Sequence, residues 1–231
     1  MIFFFIKMFS RKEFADAFLD GHVYFRKLSY FKGVEEEEIA TRGDRFEGTT
    51  GWHQPDQVKV NISFGGKSFD IEKLAAPLHV QATMLDHVHV FCLYAAHHSH
   101  LFDVEKSGDN VIKGKLRVPT ELVNFGEHAV LVESDPFIKR MRASIKEKKY
   151  RREAGLVEYY DPDIFSGEFS IRDALFRKRS EFAYQSEYRF AFLSEIIVPD
   201  AMTLEVGSLR DISRVLTGDD IRGGVTMEIN P

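Results

Sequence analysis

Three observations predict an α+β fold with a mostly antiparallel core. Short apolar runs with a two-residue period recur along the chain, glycine-rich turns separate several of them, and only a few segments carry helical spacing. The composition agrees: 21 Phe stand against one Trp and 8 Tyr, and rings at that density fit a strand-rich core with aromatic side chains packed between sheets. A chain of 231 residues is long enough to bury such a core as one domain, residues 1–231.

The elements follow in order. The first six residues are apolar but stop at Lys7, short of the ~7–15 residues of a signal h-region and far short of a membrane span. Ser10-Arg-Lys-Glu13 reads as a capping box for a helix carrying Phe14, Ala15, Phe18 and Leu19, ended by Gly21. Residues 22–27 alternate as a strand, with Val23 and Phe25 on one face and Tyr24 and Arg26 on the other. Residues 29–32 look like a turn of helix, and residues 34–50 are polar and read as a long, mobile loop. Gly65-Gly66 joins strands 58–64 and 67–71 as a hairpin. Strands are expected at 78–84, 88–94, 115–118 and 128–133. Pro119-Thr120 opens a brief helix, and Ser134-Asp135-Pro136 starts a helix over 137–149. Further strands are read at 156–160, 188–193, 203–206 and 213–216, with a helix over 173–182.

Net charge is −5 from 31 Lys and Arg against 36 Asp and Glu, which argues against a non-specific nucleic-acid coat. The charge is uneven: residues 35–38 are acidic, while residues 139–152 hold eight cations at helical period, either a solvated face or a phosphate-facing surface. A lone cysteine, Cys92, excludes an intrachain disulfide and fits a reducing cytoplasm. His87, His89, His97, His98 and His100 cluster in sequence, yet a zinc site wants three or four ligands with a defined second shell, so surface histidines fit better and no metal site is assigned. The chain has no Walker-type loop, no Gly-x-Ser-x-Gly elbow and no Gly-x-Gly-x-x-Gly fingerprint.

The most informative stretch is Phe182-Ala-Tyr-Gln-Ser-Glu-Tyr-Arg-Phe-Ala-Phe192. On a strand Gln185 and Glu187 share a face, as do Glu187 and Arg189. One reading is an orienting hydrogen bond beside a fixed negative charge; the other is a surface Glu187–Arg189 pair on an edge strand.

The block Phe18–Phe31, the Gly43-Asp-Arg-Phe-Glu-Gly48 loop and the Phe182–Phe192 block together resemble a bacterial family, the DUF2971-like group, found in phage-defence and toxin settings. Their order is also similar to that of ADP-ribosyltransferases. Neither a Ser-Thr-Ser triplet nor a His-x-Thr start is present, so neither standard transferase subclass is matched residue by residue. The resemblance implies a split, mostly antiparallel β-sheet with flanking helices and a cytoplasmic NAD-dependent transferase acting as a toxin or anti-phage effector. In that frame Glu187 is the catalytic carboxylate and Gln185 orients the acceptor. Tyr24 or Tyr30 stacks on nicotinamide, and Arg26 and Arg189 complete the NAD site. The basic stretch favours RNA or DNA as acceptor, and an acidic antitoxin is a natural partner; no membrane partner is expected. Two alternatives stand beside it: a non-catalytic β-rich recognition module, and a metal-dependent nuclease using Asp44, Glu47 and Glu187.

Overall fold

The computed structural model describes residues 1–33, 43–106, 111–146, 150–194 and 199–229. In chain order these form β1 (Ile2–Phe9), α1 (Lys12–Leu19), β2 (His22–Lys27), α2 (Leu28–Gly33), β3 (Thr49–His53), β4 (Val60–Phe64), β5 (Lys67–Ile71) and β6 (Leu78–Gln81). Next come β7 (His89–His97), β8 (Leu101–Lys106), β9 (Ile112–Leu116), β10 (His128–Glu133), α3 (Ser134–Lys146), β11 (Tyr150–Leu156), β12 (Glu158–Tyr160) and β13 (Gly167–Glu168). The chain continues through α4 (Ile171–Ala174), β14 (Arg177–Arg179), β15 (Glu187–Ser194), β16 (Ala201–Glu205), β17 (Ser213–Thr217), α5 (Gly218–Arg222) and β18 (Val225–Ile229). The fold is α+β and mostly antiparallel; β12 with β14 is a parallel pair.

The main sheet has eight strands in the order β11-β15-β7-β1-β10-β17, with β2 and β16 branching from β7. That branch is a fork. β1 pairs with the second half of β7, its register ending at Ile6 opposite Tyr94. On the same edge β2 pairs with the first half, at Arg26 opposite Val90 and Lys27 opposite His89. Between them β1 and β2 part, and α1 crosses from one to the other. At the crotch the Cys92 carbonyl has no facing strand and accepts instead from Lys7 Nζ at 2.7 Å.

Alternation sorts the residues of the sheet. One face presents Phe5, Val23, Phe25, Phe91, Tyr188, Phe190 and Phe192, all buried, under Phe18 of α1 and Phe137 and Met141 of α3. The aromatic core therefore lies between a sheet and helices, not between two sheets. The opposite face carries Ile6, Met8 and Tyr94 toward α5 and a 3₁₀ turn at Thr120–Phe125, and Val90 and Ala191 toward Leu28 and Leu85. Glu187, Arg189 and Cys92 belong to this second face.

Several expectations are corrected. The first apolar residues are the central strand β1. The helix α1 starts after Arg11 with no side-chain cap, so the capping box does not form. Residues 173–182 are not one helix: α4 ends at Ala174, β14 follows, and a 3₁₀ turn runs from Ser180 to Gln185. The helix α3 ends at Lys146, and Arg152 lies on β11 opposite Phe192, so the basic stretch is not a continuous helical face. Strands β8 and β18 were not expected. Residues 34–42 of the long loop, and Lys148 and Lys149 of the basic stretch, lie outside the described residues. Among the described residues no helix is long and apolar enough to cross a membrane.

Candidate functional site

The fork opens onto a cavity of about 580 Å³, inside the ~300–1,000 Å³ range of small-molecule sites. All six residues singled out from the sequence line it: Tyr24, Arg26, Tyr30, Gln185, Glu187 and Arg189. They come from β2 and α2 on one side and the 3₁₀ turn and β15 on the other, far apart in the chain.

The rim is aromatic and cationic. Tyr24 and Arg26 alternate onto the cleft face of β2 because Val23 and Phe25 are needed in the core on the other. The Arg26 guanidinium lies 4.3 Å from the Tyr30 ring centre and 5.5 Å from that of Tyr24, a geometry in which the cation meets the negative ring face. Tyr24 is 51% exposed and Tyr30 38%, so both rings remain open to a ligand.

The base is a buried network of four charges. Arg189 donates from Nε to Glu187 Oε1 at 2.7 Å, and from Nη1 to Glu47 Oε1 and to the Leu175 carbonyl, each at 2.7 Å. Lys178 Nζ donates to Gln185 Oε1 at 2.9 Å and to Glu187 Oε2 at 3.1 Å, and its ammonium lies 3.5 Å from Glu47 Oε2. The Glu187 N–H donates to Tyr159 Oη at 2.9 Å. All four charged side chains are under a tenth exposed. Two cations meet two carboxylates, so the network is neutral, as buried charge must be to avoid a large desolvation cost.

Protonation follows from this pairing. Burial pushes the Glu187 carboxyl up, but Arg189 and Lys178 outweigh it and hold its pKa well below the usual carboxylate range. Burial likewise opposes charge on Lys178 and Arg189, and Glu187 with Glu47 more than offsets it, keeping both cations charged. Beside Arg189 on β7, burial lifts the Cys92 thiol to about 12, so it is no nucleophile at neutral pH. Asp44, buried next to Glu47, has its pKa raised by burial and by that neighbouring carboxylate; it accepts from the Phe46 N–H at 2.9 Å and faces Arg179 at 3.4 Å.

Two sequence expectations about this stretch are corrected. Gln185 does not precede Glu187 on the strand; it ends the 3₁₀ turn, and Ser186 between them takes a left-handed φ of 37°. The two side chains meet through Lys178. The Glu187–Arg189 pair does form, but on a strand flanked by β11 and β7 and out of solvent. Neither edge position nor surface exposure applies.

Lys178 was not anticipated. It sits in Arg177-Lys-Arg179, which reads as solvated cations, and only the burial of β14 under the 3₁₀ turn turns one of the three inward. Glu47, named above only for the nuclease alternative, has its carboxylate tied to Arg189 and Lys178. The histidines separate: His89 is fully buried and bonds the Pro199 carbonyl, whereas His97 and His98 meet the Met1 amino group.

No family model, no curated protein and no solved structure matches this chain.

Proposed function

We propose that the chain is an NAD-consuming ADP-ribosyltransferase whose site is the cleft at the fork of the sheet. The observation that carries this reading is the convergence of Tyr24, Arg26 and Tyr30 with Gln185 and Glu187 on one cavity. The fit to NAD is chemical. The cavity is lined by aromatic rings for a flat heterocycle, and the Arg26 fork of donors suits a diphosphate. Its charged lining residues are Lys7, Arg26, Lys178 and Arg189 against Glu47 and Glu187, a local excess of positive charge in a chain whose total is −5.

In the reaction the glycosidic bond between nicotinamide and ribose breaks and nicotinamide leaves with the bonding pair. A lone pair on the acceptor forms the new bond to the same carbon, and the acceptor's proton passes to water. Positive charge develops on the sugar, and a fixed carboxylate is the group that stabilises it. Glu187 stays ionised at any working pH and so serves as that charge and as a hydrogen-bond acceptor, not as a proton donor. Gln185, held by Lys178, orients the acceptor. Nucleic acid is the proposed acceptor, on the charge of the basic stretch; Arg142 on α3 and Arg152 on β11 are exposed, but they belong to the helix-covered side of the sheet, across from Glu187.

One observation favours a second reading. Every Glu187 oxygen already accepts a charged donor, as in a purely structural network, which would leave the cleft a binding module without catalysis. The nuclease alternative is weaker, because Lys178 and Arg189 take the carboxylate oxygens a divalent ion would need.

Nicotinamide release, followed by chromatography, separates these. The transferase reading expects release by the wild type and loss of at least ~100-fold in Glu187→Gln at retained folding; equal release by both, or none by the wild type, rejects it.

A further inference from the structure

We infer that Glu47 is a positioning residue that sets the charge environment of Glu187, neutralising the cations that hold that carboxylate. The inference rests on the transferase reading above.

The loop is built to deliver Glu47 inward. Asp44 N–H donates to the Phe31 carbonyl and Glu47 N–H to the Asp44 carbonyl, each at 2.9 Å. Gln81 Nε2 donates to the carbonyls of Arg45 at 3.0 Å and Glu47 at 3.1 Å, pinning the loop to the end of β6. Gly48 has φ 70°, and a Cβ there would press on the Leu28 side chain. The turn thus needs glycine, and its geometry aims the preceding carboxylate into the protein. Glu47 is 1% exposed and reaches Arg189 and Lys178 from across 142 and 131 positions of sequence.

Charge counting gives the consequence. With Glu47 in place, two cations face two carboxylates. Without its charge, Glu187 lies between Arg189 and Lys178 with one positive charge left over. That surplus opposes positive charge developing on a ribose at Glu187 and favours an anionic diphosphate in the same cleft. The two effects have opposite signs, which a merely structural residue would not produce; loss of packing or loop order weakens binding and turnover together.

The test is Glu47→Gln, which keeps the shape and an oxygen acceptor but removes the charge. Turnover is read by nicotinamide release, and binding by calorimetry with ADP as probe. The inference expects kcat to fall roughly 10–100-fold while ADP binds about 3–10-fold tighter, the scale of one unit charge in a low-dielectric site. It also expects Glu47→Asp, which keeps the charge on a shorter stem, to retain clearly more turnover than Glu47→Gln. Unchanged kcat, a parallel loss of kcat and ADP affinity in Glu47→Gln, or turnover in Glu47→Asp no better than in Glu47→Gln overturns it. If Glu47→Gln does not fold, Glu47→Asp decides: folded and active within about 10-fold of wild type supports the inference, folded and inactive overturns it. If the wild type releases no nicotinamide, the transferase reading has failed and the ADP measurement stands alone. Tighter ADP binding in Glu47→Gln then supports the charge-setting role, and unchanged or weaker binding rejects it.

Discussion

Replacing Arg189 by Met tests whether the buried network holds the sheet to the layer above it. The substitution keeps much of the stem's volume and removes three donors, to Glu187, Glu47 and the Leu175 carbonyl. Lys178 alone then faces two buried carboxylates, one of them at 3.5 Å, so the site keeps an uncompensated negative charge. Breaking a buried pair in this way costs about 3–5 kcal/mol. For a chain of this size each kcal/mol moves Tm by about 2–4 °C, so the expected loss is roughly 6–20 °C. The double variant Arg189→Met/Glu47→Gln removes the surplus charge and is expected to regain about 1.5–3 kcal/mol, a non-additivity of the size seen between contacting residues. Thermal unfolding by circular dichroism reads both. Because the pair is out of solvent, the loss should persist in about 0.5 M salt, where surface pairs are screened. Lys12→Met, which removes the exposed pair with Asp16, is the control and should leave Tm unmoved. A drop below about 2 °C for Arg189→Met, or additive losses in the double variant, would refute the reasoning.

Four further outcomes are expected. Asp44 has a raised pKa in the fold, so its contribution is favourable below its unfolded pKa and is lost as pH rises through the folded one; Asp44→Asn should therefore raise Tm at pH 7, with the gain fading toward pH ~4, and a lower Tm at pH 7 would contradict this. Glu187 has the opposite shift, so its stabilisation is present above an unfolded pKa of about 4.3 and is lost only as pH falls through its lower folded value, which acid titration of wild type against Glu187→Gln will show. Gly21 sits at φ 95°, and a Cβ there would run into the Gly207 carbonyl, so Gly21→Ala should cost about 3 kcal/mol or more by denaturant unfolding, and a loss under ~1 kcal/mol would contradict that geometry. Tyr30→Ala, at an exposed ring, should leave Tm within about 2 °C but weaken NAD binding about 5-fold or more by calorimetry, since it removes the face that orders Arg26.

Much of the sheet was legible because its strands are amphipathic over short range. The alternation in residues 22–27, the Gly65-Gly66 hairpin, strand 128–133 and the Pro136 helix start all follow from local rules, and each is present in the fold. β1 was missed as a strand because it is apolar on both faces, packing Phe5 one way and Ile6 the other, so it shows no period. Residues 173–182 misled for the reverse reason: Leu175 and Phe182, seven apart, imitate helical spacing, whereas Lys178 on β14 is held by Glu187 and by the distant Glu47. The site divides along the same line. Tyr24, Arg26 and the Gln185–Glu187 stretch could be read locally, but the partnership of Glu47 with Arg189 spans 142 positions and leaves no local trace. A buried lysine with three acceptors looks, in sequence, like one more solvated cation.

The most direct test of the central claim uses NAD carrying one label on nicotinamide and another on the adenylate, incubated with the wild-type protein, RNA, DNA and lysate protein. The account predicts nicotinamide release matched one for one by adenylate label joined to nucleic acid, both lost in Glu187→Gln of unchanged Tm. Intact NAD after incubation with all three acceptors, or release that Glu187→Gln leaves untouched, would contradict it.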